Sequence, residues 1–445
     1  MNTKGLSLNT IPPILIPFRF FLTAPIFGML AAILLLFHGS DILNSRWHES
    51  TLAFTHLLTL GFMLMLMLGA LYQFIPVMLG QLIPWGDRLS AIIHASMCIG
   101  VLSLALGFLL HENLIFFLAF TFLAIALSFF SLSLLPLLLS QIKKQLIVFL
   151  LRILFVVLVV TISLGLYMLL AYVYPESGIM YWNYTNTHAL WGLVGWVVLL
   201  IMAVSSQVIP MFFVTPEFSI RILKILSLLI ITMISSLSLL ANNLFLLTTL
   251  SKLVLSCTLI FFAFYVLSLI RQRRRKLSDV TLKFFYISLW SLILVIVFWW
   301  ATKLLDKPDY QIQFDLSIGI LLIYGLACSA IIGMLQKIVP FLIYLHLQNI
   351  SFKHPESMMS EPKLVLNMKQ IITNKQANTQ LFIHLSSFGL LLAAIYWPLV
   401  VSGAAILMLC NFSWLLYSIT SAFILYSKNK RAIMMFPEAK MDFGF

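Results

Sequence analysis

Apolar residues in this chain neither alternate nor recur at helical spacing. They run on for twenty or more positions and stop at short polar breaks. A transmembrane barrel strand needs about ten alternating residues, whereas a helix crossing the hydrocarbon needs roughly twenty continuous ones. Twelve runs qualify, near 14–38, 51–79, 89–110, 114–139, 146–173, 186–213, 220–241, 244–270, 281–302, 314–343, 380–400 and 402–426. They predict helices α1 to α12 of an all-α polytopic membrane protein, one transmembrane domain over 1–445. The turn between the last two is expected at Val401-Ser402-Gly403.

The breaks repeat. "YQFIP" at 72–76, "SQVIP" at 206–210 and "QKIVP" at 336–340 close α2, α6 and α10. Pro76 and Pro210 stand 134 residues apart, and Pro210 and Pro340 stand 130 apart. A small residue, Gly69, Ala203 or Gly333, precedes each proline by seven. The period is four helices, with units near 14–139, 146–270 and 281–426 and one sizeable polar loop at 344–378. All three marked helices run the same way, which predicts three four-helix arcs about a pseudo-threefold axis along the membrane normal. Each proline also frees the carbonyl four residues earlier, here that of Tyr72, Ser206 or Gln336. Gln73, Gln207 and Lys337 are the expected donors to them.

Composition agrees: 62% of residues are hydrophobic and 9% charged. A soluble fold cannot hide so much apolar surface. The formal charge of +13 reads as topology rather than nucleic-acid binding. Arg88, Lys143-Lys144, Arg221, Lys224, the basic run 271–276, and Lys353, Lys363, Lys369 and Lys375 fall in even-numbered connections, and Lys428, Lys430 and Arg431 in the tail. The odd connections, with Asp41, Arg46, Glu49, Glu112, Glu176, Lys303, Asp306, Lys307 and Asp309, carry no cationic excess. The positive-inside rule puts both termini in the cytoplasm, with membrane lipid as the obligatory partner. Cys98, Cys257, Cys328 and Cys410 form no CxxC, which argues against a disulfide framework or thiolate zinc site. No phosphate-binding loop, dinucleotide fingerprint, HExxH or GxSxG occurs, so hydrolase and kinase chemistry is set aside.

Intramembrane histidines are the sharpest candidates for function. α2 opens with Thr55-His56-Leu57-Leu58 and α6 with Thr187-His188-Ala189-Leu190. Gly61, Gly192 and Gly195 lie within two turns of them and would let a flat macrocycle approach. His94, His346 and His384 form a second set, read as a candidate proton path or ligand group. Asp315 and Lys337 bracket α10 and mark it for ion or proton coupling. His38, His48, His111 and His354 are expected in water near loops. Met63, Met65 and Met67 alternate and so do not share a helix face, which favours packing over copper.

Helix α2, "THLLTLGFMLMLMLGALYQFIPVMLG", and the three-by-four plan resemble subunit I of the heme-copper oxidases. The resemblance implies a low-spin heme ligand at His56 and a copper ligand at His188, hence heme, and after it copper, as cofactors. Respiratory or redox membrane subunits would be the partners. The family's histidine pair on helix 7 has no counterpart, Asn242-Asn243 standing there, and its helix-10 histidines are absent. No His-Pro-x-x-Tyr follows His188. Oxygen reduction is therefore not expected, and the chain looks more like the NnrS-type membrane proteins linked to nitric oxide and metal physiology. The expected setting is the bacterial inner membrane. The competing expectation is a twelve-helix secondary transporter, which would repeat after six helices rather than four.

Overall fold

The structure is a computed structural model describing residues 11–140, 146–178, 182–239, 244–274, 276, 279–304 and 310–437. Lys143-Lys144, Asn242-Asn243, Arg275, Asp306, Lys307 and Asp309 lie outside the described residues. Among the described residues there is no strand, and twelve helices are long and apolar enough to cross a membrane. They are α1 (Leu15–Asn44), α2 (Glu49–Leu79), α3 (Gly86–Leu110), α4 (Asn113–Ser140), α5 (Leu146–Val173), α6 (Tyr184–Phe213), α7 (Ile220–Leu239), α8 (Phe245–Arg271), α9 (Val280–Thr302), α10 (Gln311–Lys353), α11 (Asn374–Tyr396) and α12 (Pro398–Ile433). Leu132, Phe264, Val297 and Ile424 lie exposed along them. An apolar outer surface of this kind fits lipid and not water. The chain is a multi-pass membrane protein.

Three boundaries differ from the sequence reading. The α11–α12 junction falls at Trp397, and Val401-Ser402-Gly403 is helical. Pro398 supplies the reason, since it keeps Trp397 out of helical geometry and then starts the next helix. α10 runs to Lys353 and α12 to Ile433, so Lys428, Lys430 and Arg431 belong to a helix and not to a free tail. The loop between α10 and α11 holds short helices and is tied down at its exit. Thr373 makes a reciprocal capping box with Gln376 that starts α11.

Packing follows the period of four. In each group the first helix touches the second and third, the second touches the third, and the third touches the fourth. Between groups α4 packs on α5, α8 on α9, and α12 back on α1. The most apolar windows of α2, α6 and α10 are 78%, 78% and 83% buried, against 28–56% for the other nine, so these three form the centre.

The three central helices share an irregularity that the sequence reading missed. Each contains a π-helical segment, Leu57–Leu64, Leu190–Val198 and Leu321–Cys328. Gly61, Gly195 and Gly325 fall inside these segments, each fifteen residues before its proline. The glycines serve close packing. A Cβ at Gly61 would stand 2.6 Å from Phe27 of α1, one at Gly195 2.8 Å from Val157 of α5, and one at Gly325 2.5 Å from Ser291 of α9. The first helix of each group thus docks on the π segment of the second. The π segment of α10 touches those of both α2 and α6.

Candidate functional site

The prolines sit within helices. α2 and α6 end four residues later in a left-handed cap, where the Gly80 and Val214 N–H groups donate to the carbonyls of Pro76 and Pro210. α10 continues past Pro340. The expected donors do not cap the freed carbonyls. Both amide atoms of Gln73 are buried without a partner. Gln207 Nε2 donates to the Ser206 hydroxyl at 3.3 Å. Lys337 Nζ pairs with Asp279 Oδ2 at 2.5 Å, drawn aside by a carboxylate at the start of α9 that loop patterning did not reveal.

Between these helix ends lies a cavity of about 160 Å³, lined by α2, α6 and α10 alone. Its walls come from equivalent positions. Ala70, Val204 and Met334 stand six residues before their prolines, and Phe74, Val208 and Ile338 stand two before. The lining is almost wholly aliphatic and aromatic, with Gln73 and Gln207 its two polar side chains. Gln73 is 5% exposed. An orphaned buried amide carries a desolvation cost of about 1–3 kcal/mol, which a ligand or water would offset.

The outer histidines occupy neighbouring ends of α2 and α6. Arg46, before α2, donates to Asn186 on α6. His56 Nδ1 engages the Leu52 carbonyl at 2.8 Å, leaving Nε2 as the nitrogen available to a ligand, and its ring lies 5.7 Å from that of Phe108. His188 packs onto α5, where a Cβ at Gly165 would stand 2.9 Å from its Cε1, and its Nδ1 is buried without a partner.

Tested against the groups the resemblance implies, these residues give a divided answer. Donor nitrogens exist. The flat approach surfaces at Gly61 and Gly195 do not, because Phe27 and Val157 fill them, whereas a Cβ at Gly192 would meet only Thr161 at 3.5 Å. Among the described residues no group of three or more His, Cys, Asp or Glu could hold a metal ion, so an oxidase-type copper centre does not fit.

The second set of histidines has separate partners. His94 Nε2 lies 2.9 Å from Thr23 Oγ1 on α1 and 3.8 Å from Cys98 Sγ. His346 stands by Tyr426 with its Nε2 buried and unpartnered. Asp315 accepts from Gln311 at 3.0 Å near the opposite end of α10. Sequence gave depth along each helix but not the side each residue faces. His354, expected in water, is 8% exposed and its Nδ1 engages the Phe436 carbonyl at 2.8 Å.

His384 belongs to a buried network joining α10, α11 and α12. Gln380 Nε2 donates to Asn411 Oδ1 at 2.6 Å, and Asn411 Nδ2 donates to the Tyr324 hydroxyl at 2.9 Å. Tyr324 meets Ser387 Oγ at 2.6 Å, and Ser387 donates to the His384 carbonyl at 2.9 Å. His384 Nε2 lies 2.8 Å from Ser329 Oγ, and its ring stacks on Tyr324 at 4.8 Å. These donors point in one direction and end on a backbone carbonyl, an arrangement that fixes helices to one another. No protein-family model matches the chain, and no curated protein matches it.

Proposed function

We propose that this is a bacterial inner-membrane protein, both termini cytoplasmic, on a scaffold like that of heme-copper oxidase subunit I, and that it handles a solute at its centre. The observation that carries this reading is the cavity between α2, α6 and α10, lined by equivalent positions of three repeated helices. Transporters place their sites at repeat interfaces, and this cavity lies at one, toward the proline-marked ends of the three helices. Contacts that recur every four helices, with α12 closing on α1, support three arcs over two six-helix halves.

Two measurements test it. Gly28 faces the Phe412 ring across the α1–α12 seam, a Cβ there standing 2.5 Å from the ring. With the four native cysteines replaced, Gly28→Cys with Phe412→Cys is expected to cross-link readily, and no cross-link would sink the three-arc plan. Val204→Cys in the same background is expected to react with N-ethylmaleimide if solute reaches the cavity. Complete protection in membranes would count against a solute site.

The histidine pair supports a second reading, heme at His56. His56 Nε2 would hold the group, which would supply redox or gas-binding chemistry. An absorption spectrum after expression with ample heme decides it: a Soret band lost in His56→Ala supports heme, and a colourless protein rejects it.

A further inference from the structure

The central cavity is bounded differently at its two ends. Its lining begins at Leu66, Leu200 and Ala330, each ten residues before its proline and two after its π segment. It runs to Met78 and Phe212, one residue short of the ends of α2 and α6. We infer that the belt built from the three π segments is a gate, shut in this structure, and that the cavity opens toward the proline ends. This rests on the reading of the cavity as a solute site and assigns its regulation.

The belt is an unbroken buried stretch on each helix. Residues 61–69 of α2, 194–203 of α6 and 323–336 of α10 are all buried. Accessible surface resumes at Ala70 and Val204, both six residues before their prolines, and one turn later on α10, at Lys337 and Ile338. Ala70, Val204 and Ile338 line the cavity. On the other side of the belt, accessible surface resumes at Leu60, Leu193 and Leu322. The belt is also one contact layer, since the π segment of α10 touches those of α2 and α6. Its side chains are mostly apolar, and Tyr324 and Ser329 are taken up by bonds to α11 and α12. A closed apolar layer stops water and ions, which would lose hydration there without a partner. The backbone supplies the means of opening. π turns inside α-helices recur at functional sites, and a segment that can pair i→i+5 or i→i+4 has two discrete arrangements. Each segment is held from behind by the first helix of its group, with Phe27 filling the space over Gly61 and Val157 that over Gly195.

The test is one-sided thiol labelling of the full-length chain in sealed membrane vesicles of each orientation. One chain carries Met211→Cys, on the cavity wall near the proline end, in the cysteine-free background. A second keeps native Cys328 alone, the last residue of the α10 π segment. A membrane-impermeant cationic methanethiosulfonate is applied to either face. Met211→Cys is expected to react about 10–1,000-fold faster from the proline face, the ratio that an alternate state populated at roughly 0.1–10% would set. Cys328 is expected to resist from both faces. Phe27→Ala and, independently, Val157→Ala remove the backing of one segment and are each expected to lower the Met211→Cys ratio several-fold. A belt that is only packed core would lose melting temperature in these variants with the ratio unchanged. Equal rates from the two faces, faster reaction from the face opposite the prolines, no reaction of Met211→Cys from either face, ready labelling of Cys328, or an unchanged ratio in both backing variants overturns the gate and leaves the solute site to its own test. Failure of N-ethylmaleimide to reach Val204→Cys removes the solute site, and the gate with it.

Discussion

His94 meets the ring of Phe20 at 5.2 Å, and His384 meets the ring of Phe284 at 5.3 Å. The two contacts are one motif used twice. Phe20 on α1 also fills the space over Gly69, and Phe284 on α9 fills the space over Gly333, both glycines seven residues before a proline. A phenylalanine from the first helix of the group therefore wedges between a glycine of the second and a histidine of the third. The partners differ. His94 shares a threonine and a cysteine, whereas His384 enters a network of five further side chains.

The wedge makes a contrast between two glycines. A Cβ at Gly333 would stand 2.5 Å from Phe284 Cβ, while one at Gly389 on α11 meets nothing within 4 Å. Gly333→Ala is expected to destabilise by about 1–3 kcal/mol through overpacking. Gly389→Ala is expected to be neutral or to gain up to about 1 kcal/mol from helix propensity. Thermal unfolding of the two variants in one detergent checks the opposite signs.

Asn411 is the hub of the buried network, with bonds to Gln380 and Tyr324. Asn411→Ala removes them and leaves Gln380 Nε2 only its bond to the residue-411 backbone carbonyl. The expected loss is about 1–3 kcal/mol, toward the low end because membrane hydrogen bonds average about 0.6 kcal/mol each. Proteolysis of the α11–α12 pair should quicken, and unchanged proteolysis would mean the network does not hold these helices.

Lys337 and Asp279 should behave as a pair. Their side chains are each 23% exposed, so screening is incomplete. Lys337→Met and Asp279→Asn are each expected to destabilise, and the double variant less than their sum. A coupling of roughly 0.5–3 kcal/mol in the double-mutant cycle is expected, and strict additivity would show that the ion pair contributes nothing.

Val214 takes φ 54° where its counterpart Gly80 takes φ 71°. A β-branched residue in this region is strained, at roughly 1–2 kcal/mol. Val214→Gly is expected to stabilise the protein by about 1 kcal/mol after the added chain entropy is set against the relief. A lower melting temperature in that variant would show that its side chain contributes packing that outweighs the strain.

Much of this architecture was written in the one-dimensional pattern. Run lengths gave the twelve helices, and the prolines with Gly69, Ala203 and Gly333 marked the central three. The π segments left only one mark in the sequence, a glycine fifteen residues before each proline, since the shift to an i→i+5 bond is made by the backbone. Gln380, Ser387 and Asn411 were missed for another reason: Gln380, His384 and Ser387 fall at i, i+4 and i+7 on one face of α11, but the partners that make this a network are 31 to 87 residues away. The roles of Gln73 and Gln207 were misread because proline suggested a carbonyl in need, while the Gln73 amide is buried without a partner and Gln207 Nε2 donates to Ser206.

The shared π turns bind the three central helices to a common fate. Each interrupts its helix at the same distance before its proline, and the segment in α10 rests on both others. Straightening any one of them would turn the remainder of that helix by about 100°, swinging its cavity wall away from its mates. A rearrangement that keeps the chamber intact must therefore advance all three screws together, and deleting a single residue from one of them would jam the set.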